Sequence, residues 1–213
     1  MLIKVNLQIF LFIIVFALTH QIKIYAFIMI FALIHELGHL MAGIFLKLKP
    51  KSLNFMPFGI SLTFETYGYK KLIEIKKILI AVAGPLTNLI ICVITMFLHI
   101  NSETKQIIIY SNLLIALFNL IPIYPLDGGR ILKNIFRFKY DKMKSDRIVN
   151  KISNTLIILA TALSSVGILY LKNLAILFVL IYLWIIVINE NKKYNIKVKI
   201  YNTLQKTNKC IDN

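Results

Sequence analysis

Residues 26–46 read AFIMIFALIHELGHLMAGIFL and place ionisable side chains inside a stretch that is otherwise almost wholly apolar. A helix of about 20 residues is long enough to cross a bilayer. His35 and His39 are four residues apart, so they lie on one face of such a helix, one turn from each other. Ionisable groups at membrane depth are costly, which makes each of them a functional hypothesis.

His35, Glu36 and His39 form the pattern H-E-x-x-H, which is typical of zinc hydrolases. In that pattern the two histidines bind the metal and the acid acts as general base. A single histidine in a membrane helix more often makes a helix–helix hydrogen bond. The second histidine and the intervening acid favour the zinc interpretation.

The composition indicates a membrane protein that crosses the bilayer several times. Of the 213 residues, 58% are apolar, and the net charge is +16. The charges are confined to the segments between apolar runs, which is typical of membrane topology and not of a nucleic-acid-binding surface. Cys92 lies in an apolar run and Cys210 in a polar tail, so the pair predicts no disulfide.

Six apolar runs predict six transmembrane helices. The first run follows Lys4 and resembles a signal peptide, but no small-residue cleavage site follows it, which favours a retained helix. We therefore expect an all-α transmembrane domain over residues 1–190 and a short cytoplasmic tail over 191–213. The runs are 7–19, 24–46, 78–99, 107–123, 153–171 and 174–189.

The basic residues predict the orientation of these helices. All but three of the 25 lie in alternate segments, namely the N-terminus, the connections after the second and fourth runs, and the tail. Cytoplasmic segments carry the excess of Lys and Arg, so both termini are expected in the cytoplasm of a multi-pass cell membrane protein. The same charges attract anionic lipid. Docking of an acidic substrate is a second interpretation that no pattern supports.

Asp127 is the predicted third metal ligand. Of nine acidic residues, only Glu36 and Asp127 lie at membrane depth, and a catalytic zinc takes three protein ligands. Asp127 follows Pro122 and Pro125, which break a helix, and precedes two glycines that permit a turn. Irregular backbone at this depth is tolerated where it lines a wet cavity. The alternative for Asp-Gly-Gly is a simple turn at the end of a span.

Residues 48–69 alternate apolar and polar side chains in part. The pattern indicates a short β-hairpin or a re-entrant loop at the inner membrane surface, and a plain surface loop is the alternative. As a hairpin, its edge offers an unwound substrate a strand to pair with.

Together these residues resemble the site-2 protease (M50) family of intramembrane zinc metalloproteases. The zinc motif His35–His39, the Ala83-Gly84-Pro85-Leu86 stretch and the Leu126-Asp127-Gly128 stretch match motifs of that family in order. Within the family the chain is closest to the subgroup that processes a sporulation sigma factor, pro-sigma-K. The stretches Met56–Gly59 and Asn119–Leu132 carry that closer resemblance.

The resemblance implies one zinc ion held by His35, His39 and Asp127, with Glu36 as the catalytic residue. It also implies that Asn119, Pro125 and Asn88 shape the substrate site. The implied partners are a membrane-associated pro-sigma factor, membrane inhibitor proteins and the bilayer, with no direct nucleic-acid contact. The implied location is a bacterial membrane, the outer forespore membrane. The better-known sporulation proteases carry a nucleotide-sensing CBS domain after the last span. This sequence shows none, so direct regulation by ATP is not expected.

Three other functions stay open at this stage. A general site-2 protease would cleave anti-sigma factors or membrane peptides with the same chemistry. A metal transporter would use the same ligands but would tolerate loss of Glu36. An inactive scaffold would have no use for a complete set of catalytic residue types.

Overall fold

The computed structural model describes residues 2–5, 22–48, 50–56, 59–64, 70–171 and 175–211. The predicted first span, residues 7–19, lies outside these ranges. The described residues form six helices and three short strands. They are β1 (Leu2–Val5), α1 (Ile22–Phe45), β2 (Pro50–Met56), β3 (Gly59–Phe64), α2 (Lys70–Phe97), α3 (Ser102–Leu120), α4 (Asp127–Lys139), α5 (Lys142–Leu171) and α6 (Ala175–Ile211).

Three helical segments within the described ranges are long and apolar enough to cross a membrane. They are Tyr25–Phe45, Glu74–Phe97 and Lys142–Ser165, which overlap three of the six predicted runs. Large apolar side chains on these helices point outward, and Phe45 and Phe97 are 88% and 78% exposed. Such surface is costly in water and is matched by lipid. The six-span arrangement stays a prediction.

The chain divides into two compact units, Met1–Leu120 and Ile121–Asn213. The predicted boundary at residue 190 separates a transmembrane domain from a tail, which is a different kind of division, and it stays a prediction. The division into units falls where Pro122 and Pro125 follow the end of α3. Proline lacks an amide hydrogen and clashes with the preceding turn, so these residues end the helix and separate the two packing units.

In the first unit, α1, α2 and α3 pack on one another around an apolar core. Phe31 and Ala32 of α1 meet Ile115 of α3 there, and Ile91 of α2 packs against them. These side chains fill the space between the helices, so α1 is held on two sides at the level just before His35.

The first unit also contains a three-stranded sheet. The strand order is β1-β2-β3, with β1 parallel to β2 and β2 antiparallel to β3. Strands β2 and β3 lie within residues 48–69, for which the sequence left a hairpin, a re-entrant loop and a surface loop open. Strand β3 lies at one edge of the sheet and beside α1, the helix that carries the zinc motif.

The second unit consists of α4, α5 and α6, with α5 packed against both of the others. Asp146 of α5 accepts from Arg137 of α4 at 3.1 Å and from Lys197 of α6. One carboxylate therefore ties three helices together. Helix α6 continues without a break from Ala175 to Ile211, so the polar segment after residue 190 is helical.

Gly38 of α1 sits where α1 and α2 approach closely. A Cβ added at Gly38 would collide with the Thr87 hydroxyl and lie 3.1 Å from the Ala83 carbonyl oxygen of α2. The Thr87 hydroxyl itself donates to that carbonyl at 2.8 Å. Glycine at this position therefore sets the spacing of the two helices.

We expect Gly38→Ala to lower the free energy of unfolding by about 1–3 kcal/mol, the usual cost of forcing extra volume into a packed contact. Because the nearest atom is a side-chain hydroxyl, adding Thr87→Ala should restore part of that loss. Thermal unfolding in detergent micelles measures both. Leu37→Ala, at a 51% exposed neighbouring position, is the control. Equal destabilisation with and without Thr87→Ala would contradict the steric explanation.

Candidate active site

His35 and His39 meet on the inner face of α1, each 2% exposed. Their Nε2 atoms are 3.1 Å apart, and their rings are nearly perpendicular, with an interplanar angle of 87° and centroids 4.8 Å apart. The one-turn spacing predicted from the sequence is confirmed. Both rings point toward α2, and each uses its other nitrogen to bond there.

A chain of amides fixes the orientation of His35. The Asn112 Nδ2 atom donates to the Ile108 carbonyl at 2.9 Å, and the Asn112 Oδ1 atom accepts from Asn88 Nδ2 at 2.8 Å. Asn88 therefore presents its Oδ1 atom to His35 Nδ1, at 2.5 Å. A backbone carbonyl only accepts, so the direction of every bond in this chain is set from Ile108 onward. His35 must carry its proton on Nδ1.

His39 is fixed more directly. Its Nδ1 atom lies 2.6 Å from the Ile80 carbonyl oxygen of α2. This acceptor again requires the proton on Nδ1. Pro85 lies inside α2 and supplies no amide hydrogen, so the helical bond to the carbonyl of Ala81, the residue after Ile80, is absent.

With each Nδ1 atom bonded to an acceptor, the two rings turn their Nε2 atoms toward each other. Histidine ligands of metals are typically held in this way, by an outer acceptor on one ring nitrogen that leaves the other nitrogen for the metal. The His35 and His39 side chains therefore fit a bound zinc ion. This fit rests on the donor set alone.

Gly84 provides the space for this pair. A Cβ at Gly84 would collide with the His39 ring and lie 2.6 Å from His35 Nε2. Any side chain there would occupy the position of the ligand atoms. The Gly-Pro motif that the sequence singled out thus has a steric reason at its first residue.

Glu36 follows His35 on α1 and is half-buried. It follows His35 by one helical step of 100° and so lies beside the face that His35 and His39 share, not on it, which suits proton transfer better than metal binding. That role agrees with the predicted one, which stays a prediction.

Asp127 belongs to the second unit, where it is the first residue of α4 and only 4% exposed. Its carboxylate lies at the N-terminal, positive end of the helix and 3.7 Å from Arg130 Nη1. Gly129 keeps this turn tight, because a Cβ there would lie 2.6 Å from the Ile123 carbonyl oxygen. Asp127 is therefore held in place as a buried ligand candidate.

The three residues predicted to shape the substrate site occupy different environments. Asn88 is fully buried and bonded to His35, so it orients a ligand candidate, a role that the sequence did not predict. Asn119 donates to its own helix at the Ile115 carbonyl, 3.0 Å away. Pro125 follows a cis peptide bond with Tyr124. Their contacts with a substrate stay predictions.

Asn112 was missed by the sequence analysis. The available signal was an amide inside the apolar run 107–123, where a polar side chain needs a partner.

We expect Asn112→Leu to weaken zinc binding about 10–100-fold, as loss of an outer hydrogen-bond partner typically does. Without Asn112, Asn88 is no longer prevented from turning its Nδ2 atom toward His35, which favours the tautomer that cannot bind metal through Nε2.

Competition with a zinc chelator measures that affinity. Ser111→Ala, which removes a buried hydroxyl one residue away on α3, is the matched control and should leave the affinity unchanged. Asn112→Asp keeps the acceptor for Asn88 and should retain most of the affinity. Equal affinity in the Leu and wild-type chains would show that the amide chain does not control the tautomer.

Comparison with known proteins identifies relatives with this arrangement of motifs. A model of peptidase family M50 matches residues 101–163. Stage IV sporulation protein FB of Bacillus subtilis is 30% identical over 159 residues, which are 72% of this chain and 54% of that protein. A zinc metalloprotease of Methanocaldococcus jannaschii is 32% identical over 129 residues, 57% of this chain and 36% of that protein. The chain thus spans about half or less of the curated relatives it matches.

A solved structure shares the fold. The site-2 protease from Methanocaldococcus jannaschii aligns with a TM-score of 0.69 at 24% identity, over 88% of this chain and 89% of that one. The predicted site-2 protease core is confirmed by this match. The sequence matches show that the chain belongs to peptidase family M50, the family that its motifs predict.

Proposed function

We propose that this chain is an intramembrane protease that performs regulated proteolysis and removes the pro-sequence of a sporulation sigma factor at the cytoplasmic membrane face. The observation that carries the proposal is the buried His35–His39 pair, whose Nδ1 atoms are both committed to acceptors and whose Nε2 atoms face each other. The similarity to stage IV sporulation protein FB supports the sporulation substrate class.

His35, His39 and Asp127 are the proposed zinc ligands. All three residues are buried, and each offers one ligand atom. The two histidines offer imidazole nitrogens, and Asp127 offers a carboxylate oxygen. Three protein ligands leave a further position for substrate or water, as in catalytic zinc sites. When bound, zinc supplies Lewis acidity, which polarises a carbonyl group and makes water more acidic.

Glu36 is the proposed general base. Its carboxylate takes a proton from the water that attacks the scissile carbonyl carbon and later delivers a proton to the amine that leaves. The fixed histidine rings and the rigid α1 backbone keep Glu36 beside the reacting atoms. The low exposure of the site limits water to the molecules that the reaction needs.

The proposed topology has six spans with both termini in the cytoplasm. The alternation of basic segments supports it, since all but three of the 25 basic residues then lie on one side. In this orientation α1 runs from the outer to the inner face, and its His35–His39 turn opens toward the cytoplasm, where a pro-sigma factor is found. The proposed location is the outer forespore membrane.

The edge of β3 is the proposed docking line for the substrate. The substrate backbone must be extended around the peptide bond that is cleaved, because a helix makes its carbonyl groups inaccessible. Strand β3 lies at the edge of the sheet and beside α1, so a strand added there runs along the helix that carries His35 and Glu36. Asn119 and Pro125 are proposed to shape the same path, and membrane inhibitor proteins are proposed to block it.

Co-expression with a pro-sigma factor in a host without sporulation proteases tests the proposal. The wild-type chain should yield a shortened sigma factor on an immunoblot. Glu36→Gln should lower the cleavage rate at least 10²-fold, since it removes the general base, while the purified protein keeps its zinc. Asp127→Asn should lower both cleavage and zinc content.

Glu74→Gln is the matched control, because Glu74 is a half-buried acid of α2 that pairs with Lys77 and lies outside the site. Normal cleavage by Glu36→Gln would refute the protease assignment, and zinc flux through that variant would identify a transporter. Zinc-dependent cleavage of other membrane peptides without cleavage of pro-sigma factors would identify a general site-2 protease instead.

A further inference from the structure

The second unit contains a cavity that the proposed protease chemistry does not use. It is partly open to solvent, has a volume of about 190 Å³ and lies between the polar ends of α5 and α6, with α4 and Tyr124 beside it. A water molecule takes roughly 30 Å³ in the liquid, so the space is several times that of one water. Its charged lining residues are Lys133, Asp146, Glu190, Lys193 and Lys197.

The charges of this cavity do not balance. Asp146 accepts from Lys133 at 3.2 Å and from Arg137 at 3.1 Å, and also from Lys197. Glu190 pairs with Lys193 at 2.5 Å. The lining and its ion pairs therefore hold four cationic side chains and two carboxylates.

Two of these cations are withdrawn from water. The Lys133 and Arg137 side chains are only 18% and 14% exposed. Burial lowers the pKa of Lys133, and the nearby Asp146 carboxylate opposes that shift. Desolvated cations in excess over anions are costly, and a bound anion offsets that cost.

The cavity lies at the boundary between the apolar and polar parts of both helices. Helix α5 is polar up to Asn154 and apolar from Leu156, and α6 is apolar up to Ile188 and polar from Asn189. Val149 and Val187 contribute an apolar wall to the cavity. In a helix pair that crosses a bilayer, this boundary is the level of the lipid headgroups, and basic pockets there bind anionic headgroups.

We propose that this cavity binds the phosphate of an anionic phospholipid headgroup, with Lys133 and Lys197 as its principal cations. The site has a direct connection to the segment before Asp127. The Lys133 ammonium lies 4.1 Å from the centre of the Tyr124 ring, and the Tyr124 amide donates to Ser153 of α5 at 2.9 Å. A bound phosphate therefore braces the turn that leads into α4. This inference stands whether or not the chain cleaves a sigma factor.

Purified full-length protein, tested with vesicles of phosphatidylglycerol and of phosphatidylcholine and with inorganic phosphate, distinguishes the sources of the anion. Native mass spectrometry counts retained lipids, and thermal unfolding reports the stabilisation. We expect a retained phosphatidylglycerol and a higher midpoint of unfolding with that lipid only. Equal stabilisation by inorganic phosphate would support the phosphate site and assign it to a soluble ligand. Retention of both lipids alike, without a response to phosphate, would overturn the proposal.

Lys133→Gln combined with Lys197→Gln should weaken binding at least tenfold. The matched control is Lys142→Gln with Lys144→Gln, which removes the same charge from exposed positions at the start of α5. Equal loss in both pairs would reduce the effect to general surface attraction and refute the site. Lys197→Gln alone, at a 40% exposed side chain, gives the same comparison if the double variant does not fold.

Discussion

The candidate site depends on which ring nitrogen of His35 and of His39 carries the proton. His35 and His39 are useful as ligands only while their Nδ1 atoms carry hydrogen, and each Nδ1 faces an acceptor held by another helix. For His39 the acceptor is a backbone carbonyl, which has no alternative orientation. For His35 it is an amide that could turn over, and Asn112 prevents that by claiming the Nδ2 end of Asn88. The packing of α1, α2 and α3 thus determines which nitrogen of each imidazole ring is left to bind a metal.

This dependence explains why small residues recur where α1 meets α2. Gly84 leaves room for the imidazole rings, and Gly38 lets the two helices approach closely enough for the Ile80 carbonyl to reach His39. The apolar core of Phe31 and Ile115 then holds α1 from the other side. Space, approach and hydrogen bonding are met by different residues, yet a change in any one of them alters the ring positions.

Local regularity made the first half of the site predictable from sequence. Helical periodicity alone places His35 and His39 on one face, and the scarcity of acids at membrane depth singles out Asp127. The Ile80 carbonyl was not predictable, because every residue has one and only the tertiary packing selects which is used. Asn112 gave a weak signal as a polar residue in an apolar run. The division of the chain near Pro122 was readable as a helix break, but not as a boundary between packing units.

The polar part of α6 has a defined length, which the composition of the sequence does not show. From residue 190 to residue 211, α6 runs for about 33 Å at 1.5 Å per residue. A disordered segment with the same number of residues would have a similar average end-to-end distance, but its end would point in many directions. A rigid helix instead holds any partner that contacts the exposed Tyr201 or Leu204 side chain at a fixed distance from the apolar part of α6. The segment therefore acts as a spacer of defined length, and insertion of a few residues would rotate its far end by 100° for each residue added.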